Sequence, residues 1–546
     1  MPEASPAPAT AGSDRRPPDG AMALDKRSQR NILIAMITAL VAVIASVSGL
    51  NVAQQQLAID LGASQGEVLW IINAYTLALA ALLLPVGAVG DRWGRKPVLL
   101  AGLTVFALAS LGAGLATSVP MMIGARVLAG IGAAMIMPVT LSVVTSSFPP
   151  EDRANAIGIW AAFAGSGGLI GLFVSSFMVD VLTWRWLFVL PLALVAVSMM
   201  MTLAAVPNSR EHKEHPFDVG GSIFSALAIG GLVLGIHEGP ERGWSDSLTI
   251  AGLAVGVIGL LAFIVWERRH ADPLLDISAF SNRGLASGSL TLVIVFAVMF
   301  GIFLVLFPFF QAVVGWSALH SAAAMLPMAA LMMPMSTMAP RIAARIGTRV
   351  TMMVGVATFM TGLATLALRA SVEGGYLSVL PGLLIIGLGM GLTMTPATAA
   401  ITETLPEDKQ GVASALNDTS RELGGAVGVA LLGSVLSAGY GDAIAPALEG
   451  LPPQLAEPAR EGIGSAFAVA AEAGNQAPVI IDAAKHAFVD AWVSSMWVGV
   501  AMAAVAFVYL AVLGPRRTAA TGRTDPSGAV GDPVAGGTDL ASTPGG

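Results

Sequence analysis

The sequence predicts an all-α, polytopic membrane protein, and three observations carry that prediction. Of the 546 residues, 55% are hydrophobic and only 12% are charged, where an ordinary soluble domain carries roughly 25% charge. Apolar runs of membrane-crossing length recur along the chain, and the mean hydropathy is +0.76. Lysine and arginine crowd onto every second connection between those runs.

A helix needs about 20 mostly apolar residues to cross the hydrocarbon core. That ruler gives fourteen spans, at roughly 32–55, 68–89, 98–117, 120–145, 154–180, 185–206, 218–237, 247–266, 285–310, 319–340, 350–369, 376–402, 411–440 and 488–513. They are rich in small residues, as in Ala129-Gly130-Ile131-Gly132, which allow helices to approach closely in lipid. With this assignment 21 Lys and Arg fall on the side of the N-terminus and 5 on the other, while Arg126 and Arg421 lie within spans. An odd number of spans scrambles this fourfold bias. The positive-inside rule therefore places both termini in the cytoplasm, in a multi-pass protein of the cell inner (plasma) membrane.

The connections divide the chain. Residues 1–31, with Pro2, Pro6, Pro8, Pro17 and Pro18, read as a disordered cytoplasmic tail, and residues 515–546 have the same Gly/Pro/Thr/Asp character. Residues 32–206 form a first six-helix bundle, ended by the polar stretch Pro207-Asn208-Ser209-Arg210-Glu211-His212-Lys213-Glu214-His215. Residues 207–283 hold that linker and two extra spans. Residues 284–514 form a second six-helix bundle that contains a long outer loop, 441–487, whose 463–473 stretch can form a short helix on the surface.

Composition also excludes functions. A net charge of -7 leaves no basic footprint for nucleic acid. With no cysteine, disulfides, thiolate metal sites and cysteine nucleophiles are ruled out. Six histidines are scattered, and the close pair His212 and His215 sits in the polar linker, so no metal site is expected. Neither a nucleophile–base constellation nor a phosphate-binding G-x-x-x-x-G-K-[ST] loop is present. The expectation is a protein that is not an enzyme and needs no cofactor.

The most specific string lies between spans two and three: Gly87-Ala88-Val89-Gly90-Asp91-Arg92-Trp93-Gly94-Arg95-Lys96-Pro97-Val98-Leu99. Gly87 permits close helix approach, Gly94 suits a tight turn with positive φ, and Asp91 can accept from a helix N-terminus. An ordinary basic turn explains Arg92, Arg95 and Lys96 alone but not the whole string. A weaker copy, Arg345-Ile346-Gly347-Thr348-Arg349, follows the tenth span with Ala344 where the first has Asp91.

This string resembles the inter-helix motif of the major facilitator superfamily, and the fourteen spans resemble that superfamily's drug:proton antiporter branch of the QacA/EmrB type. Further matching stretches are Asn51-Val52-Ala53, Trp70-Ile71-Ile72-Asn73-Ala74-Tyr75, Trp184-Arg185-Trp186-Leu187-Phe188, Trp266-Glu267-Arg268-Arg269, Pro273-Leu274-Leu275-Asp276 and Gly411-Val412-Ala413-Ser414-Ala415-Leu416-Asn417. The resemblance implies a major facilitator fold, two six-helix bundles plus two additional linking helices, with the substrate site near the midplane between the bundles. It implies a gating motif of Gly87, Asp91, Arg92, Gly94 and Arg95. Three departures stand out. Ser46 occupies the place of the branch's usual span-one Asp, Gln54–Gln56 replace the end of an N-V-A-L-P run and end that helix, and Gly171-Leu172-Phe173-Val174-Ser175-Ser176 lacks the proline of the branch's fifth-span motif.

A charge at the bilayer centre costs about 2.5–3.5 kcal/mol on insertion scales, so the residues retained there are candidates. Arg126 resembles the superfamily's fourth-helix Arg, implicated there in proton or substrate coupling; snorkelling to the nearby outer end is the alternative. In span thirteen, Asp418 and Glu422 share one helix face and Arg421 lies within a turn of both. They form a proton relay, a neutralised cluster that fixes helix packing, or a cluster near the cytoplasmic end in water. Asn73, Tyr75 and Gln311 are candidate pocket residues. Met325, Met328, Met332, Met333, Met335 and Met338 recur at a spacing that suits packing better than a pocket.

The function these readings imply is secondary active transport, with proton-coupled efflux of amphipathic or lipophilic small molecules by alternating access. The partners are a small-molecule substrate, protons and the bilayer. Alternatives are a metabolite importer or facilitator of the same fold, or a non-transporting membrane partner or sensor that uses the 441–487 loop. Substrate identity and oligomeric state have no signature in the sequence.

Overall fold

A computed structural model of the chain describes residues 25–207, 217–449 and 452–515. The helices in chain order are α1 Lys26–Val52, α2 Gln54–Leu61, α3 Gln65–Trp93, α4 Arg95–Gly114, α5 Val119–Ser147, α6 Pro150–Val181, α7 Val189–Ala205, α8 Val219–Arg242, α9 Ser247–Glu267, α10 Arg283–Pro308, α11 Ala318–Ile346, α12 Thr348–Arg369, α13 Gly375–Thr402, α14 Gln410–Ile444, α15 Pro453–Glu461, α16 Ile463–Glu472 and α17 Ala477–Leu513. Among the described residues, fourteen helices are long and apolar enough to cross a membrane, the number expected.

Helix starts follow local chemistry. Asp25 caps α1 by accepting from the Ser28 N–H at 2.9 Å. Ser64 and Glu67 form a reciprocal capping box at α3, which satisfies two of the N–H groups that every helix start leaves unpaired. Gly94 turns α3 into α4 at φ 107°, and Gly347 turns α11 into α12 at φ 92°. Both positions lie in the left-handed region that favours glycine.

Helices α1 and α3–α7 make the first bundle, around a core that includes Tyr75, Phe106 and Trp160. Helices α10–α14 and α17 make the second, around Phe309, Phe310, Phe359 and Trp492. Between them in sequence, α8 and α9 pair as a glycine-lined hairpin. A Cβ on Gly235 lands 2.6 Å from the Leu253 nitrogen, and one on Gly252 lands 2.8 Å from the Gly235 nitrogen. Close backbone contact of this kind is how helices associate without a hydrophobic driving force. The hairpin leans on α3, with Gly230 beside Ala81.

Three boundaries and one placement differ from expectation. The first helix begins at Lys26, so the expected tail of 1–31 overlaps its first turns. Gln54–Gln56 do not close α1: the break falls at Ala53, and the glutamines open the short helix α2. The last long helix starts at Ala477, eleven residues before 488, within the expected outer loop. A crossing ruler registers only apolar residues, whereas α17 continues past them through Asp482, Lys485 and His486. The short helix expected at 463–473 exists as α16, but Ile463, Ala466, Val469 and Ala470 are buried, so it is docked on one face. The two expected tails up to residue 24 and from 516, and the polar linker with His212 and His215, lie outside the described residues.

Candidate functional site

The 87–99 string turns the chain at one end of the molecule, here called the motif face, and the two bundles touch there. Gly87 faces α14 so closely that a Cβ on it lands 2.6 Å from the Gly411 carbonyl oxygen and 2.7 Å from the Ala415 Cβ. One turn on, both Asp91 carboxylate oxygens accept from the Gly411 N–H at 2.8 Å, and Oδ2 also accepts from Val412 at 3.2 Å. These are unpaired N–H groups of the first turn of α14, where the helix dipole favours an anion. Arg95, 5% exposed, donates to Asp91 at 3.2 Å and to the Glu407 carbonyl at 3.4 Å. Arg92 lines an adjoining cavity of about 330 Å³ with Asp91, Asp218 and Lys409. A second contact lies between α6 and α11, where a Cβ on Gly158 lands 3.0 Å from the Ser336 carbonyl oxygen. The motif face is closed.

Within the first bundle Arg126 does not snorkel. It is 1% exposed. Its Nε donates to the Ile71 carbonyl at 3.3 Å, Nη1 donates to the Ser46 hydroxyl at 3.1 Å, and its guanidinium lies 4.3 Å above the Tyr75 ring. A polar guanidinium buried this deep is tolerable only with such partners. Tyr75 is itself fully buried, and its hydroxyl donates to the Val43 carbonyl at 3.4 Å. In this closed arrangement it is therefore a neighbour of Arg126 and does not line an open pocket.

The second cluster belongs to α14 and bridges the bundles. Arg421 sits 3.5 Å from Asp418, donates to the Ala164 carbonyl of α6 at 2.9 Å, and lies 4.7 Å above the Phe296 ring. Asp418 Oδ1 also accepts from Asn417 at 3.2 Å, and Thr398 of α13 donates to the Asn417 side-chain oxygen at 2.9 Å. Asp418 Oδ2 and Arg421 Nε have no hydrogen-bond partner among the described residues. Glu422, one turn from Asp418, is half-buried, and both Arg421 and Tyr75 lie within reach of its charge. A dry acid with one oxygen unsatisfied, held by an arginine that reaches across to the other bundle, can exchange a proton and so alter that bridge.

The other candidates are placed less centrally. Asn73 is half-buried on α3, and Gln311 is exposed in the π-helical turn Phe309–Val313 beyond α10. Met325, Met328 and Met332 are packed in the core, with the Met332 methyl and the Met394 sulfur against Gly165. Sequence reasoning missed Ala164, whose contribution is a main-chain carbonyl, and Thr398, which has no charge to mark it.

Two six-helix bundles that close against each other at one end, with buried ionisable groups at their junction, have the architecture of a polytopic transporter. The chain belongs to the Major Facilitator Superfamily, whose family profile matches residues 34–429. It is 31% identical over 424 residues to the Multidrug resistance protein Stp of Mycobacterium tuberculosis, covering 78% of this chain and 79% of that protein. It is 31% identical over 465 residues to the Methyl viologen resistance protein SmvA of Salmonella typhimurium, covering 84% and 92%. It is 31% identical over 433 residues to the Multidrug efflux pump LfrA of Mycolicibacterium smegmatis, covering 79% and 85%. Among solved structures, the proton:xylose symporter XylE aligns with a TM-score of 0.56 at 13% identity, covering 89% of this chain and 96% of that one. The human organic anion transporter MFSD10 aligns with a TM-score of 0.55 at 12% identity, covering 87% and 99%. These two share the fold.

Proposed function

We propose that the protein exports amphipathic or lipophilic small molecules by alternating access, driven by proton entry, and that it carries out transport without covalent chemistry. It sits in the plasma (inner) membrane with both termini and the motif face in the cytoplasm, as the lysine and arginine bias favours. The 32–206 and 284–514 bundles rock about a central site, and the α8–α9 hairpin links them.

The observation that carries this reading is the Arg421 bridge. A group that binds its own bundle's acid and the other bundle's backbone together makes the contact between the bundles depend on the charge of Asp418. Protonation of Asp418 removes one of the two Coulomb partners of Arg421, Glu422 being the other, and weakens the bridge. Arg126 supplies the corresponding fixed charge in the first bundle, and Asp91 with Arg95 holds the cytoplasmic face shut between cycles.

Inverted vesicles test this. Addition of a substrate cation such as methyl viologen, named for one relative, is expected to release protons from acid-loaded vesicles, and uptake is expected to stop when the pH gradient and potential are collapsed. Uptake indifferent to both gradients for every substrate found removes proton coupling. The unbroken α6, 32 residues without an internal proline, favours a second reading as an importer or facilitator, and the direction of net flux in oriented vesicles separates the two.

A further inference from the structure

Two segments singled out in the sequence, Trp266-Glu267 and Pro273-Leu274-Leu275-Asp276, take no part in the clusters above. They meet at the motif face, where α8 begins and α9 ends. Glu267, the last residue of α9, is 3% exposed. Its Oε2 accepts from the Leu275 N–H at 3.2 Å, while its buried Oε1 meets no donor among the described residues. Asp218, the N-cap of α8, stands beside it, 6% exposed. A Cβ on Gly221 collides with Glu267 Oε1 and Asp218 Oδ2 together. Asp218 is already engaged: Oδ1 accepts from Gly221 at 2.7 Å and from the Trp266 indole at 2.8 Å, and Oδ2 accepts from Leu274 at 3.2 Å.

Two ionised carboxylates in contact and out of water repel each other, whereas one proton between them makes a hydrogen bond. That proton also gives Glu267 Oε1 the partner it otherwise lacks. Among the described residues, none of the other charges around the pair donates a hydrogen bond to Glu267 Oε1. Lys409 donates to the Pro273 carbonyl at 2.8 Å. Arg92 of α3 lines the same cavity together with Asp272, Asp276 and Asp408. Arg268 and Arg269 are exposed, and His270 stacks on Trp266 at 5.6 Å.

We propose that Asp218 and Glu267 hold a single proton between them, and that this pair positions the closed motif face. The contacts run without a gap. The pair fixes the N–H groups of Leu274 and Leu275, the neighbouring Pro273 carbonyl binds Lys409, and two residues on, the Gly411 N–H is a ligand of Asp91. Loss of the proton separates the carboxylates, loosens 273–275 and withdraws the anchor from the start of α14. The two linking helices thus act as a proton-sensitive strut. This rests on the alternating-access reading, because it concerns which of two states is favoured.

The chain has no cysteine, so paired spin labels can be placed cleanly at Glu151→Cys and Ala344→Cys. Both positions are exposed, one in each bundle near the motif face. Distance distributions in lipid nanodiscs, at about pH 6 and about pH 9, report closure without any substrate. The short-distance population of the labelled parent is expected to fall about twofold or more with that rise. Glu267→Gln carries a permanent N–H donor toward Asp218 and still accepts from Leu275, so it is expected to hold the short distance across the range. Glu267→Ala is expected to lose it at both values. The remaining acids are present in every variant and form a common background. A parent without pH response, a Glu267→Gln response equal to the parent's, or an unchanged Glu267→Ala distribution overturns the strut. Vesicle transport is read separately, so a failure of proton coupling and a failure of the strut give different results.

Discussion

Arg421 of α14 donates to the main-chain carbonyl of Ala164 in α6 across the junction of the two bundles, at 2.9 Å. The Trp160 ring of α6 lies 5.9 Å from the same guanidinium, whereas Asp418 and the Phe296 ring are its contacts within the second bundle. One side chain therefore touches both an acid of one bundle and the backbone of the other, a contact that a relay and a packing cluster would use differently.

Removing one member of this buried pair leaves the other charge uncompensated, a loss of about 3–5 kcal/mol. Arg421→Ala is expected to lower thermal stability in detergent by an amount of that order and to abolish transport. The double variant Asp418→Asn with Arg421→Gln removes both charges together. It is expected to recover most of the stability and none of the proton-driven transport, as read by melting and by vesicle flux. Recovery of transport as well assigns the cluster to packing.

The Gly87–Gly411 approach makes a second expectation. A methyl group on Gly87 falls 2.6 Å from the Gly411 carbonyl, a backbone atom that cannot move aside without shifting α14. Gly87→Ala is expected to insert normally and yet to populate the closed face poorly. Labelling of a cysteine placed at Ala415 by a membrane-impermeant reagent added to inverted vesicles is expected to rise severalfold. Labelling equal to that of the unsubstituted chain shows that the face closes without this contact.

Much of this was legible in sequence, and the parts that were not share a physical cause. Span number and orientation follow from apolar runs and from the placement of Lys and Arg, which act over whole segments and tolerate errors of several residues. Gly87, Asp91 and Gly94 were legible because a glycine, an acid and a positive-φ turn at fixed spacing have few other uses. The Ala53 break was misplaced because three glutamines mark the end of an apolar run, yet glutamine is a good helix former and Gln54–Gln56 start α2 instead. The Arg421–Ala164 bridge spans 257 positions and ends on a backbone carbonyl, which leaves no mark on residue type. Counting residues puts Arg126 close to an outer end, but burial depends on the neighbours, and Ile71, Ser46 and Tyr75 enclose it.

Asp91 allows a graded test of the closed face. Its carboxylate serves two N–H groups of α14 and Arg95 together. Asp91→Asn keeps the shape but has one acceptor oxygen and no charge, and a helix N-terminus favours an anion by about 0.3–1 kcal/mol, rising to ~2 in partly buried sites. Transport is expected to fall about tenfold, for a loss near 1.4 kcal/mol in the closed state. Asp91→Glu, which keeps the charge but is too long for the Gly411 approach, is expected to be no better. Full activity in Asp91→Asn leaves the charge without a role.

Ser46 offers the sharpest separation of coupling from architecture. Its hydroxyl accepts from Arg126 at 3.1 Å in a dry site, where charge-assisted hydrogen bonds are roughly twice as strong as neutral ones. A carboxylate at this position has its counter-ion already in place, so Ser46→Asp is expected to fold and to resist heat at least as well as the parent. It also adds a group that exchanges protons in contact with Arg126. If the route of protons passes this arginine, the pH profile of vesicle transport shifts and the balance between drive by pH gradient and drive by potential changes with it. Arg126→Lys, whose single ammonium cannot serve Ile71, Ser46 and the Tyr75 face together, is expected to reduce gradient-driven transport while substrate binding persists. A Ser46→Asp protein that is stable and has the parent's profile under both kinds of drive places proton movement away from Arg126, at the Asp418 cluster alone.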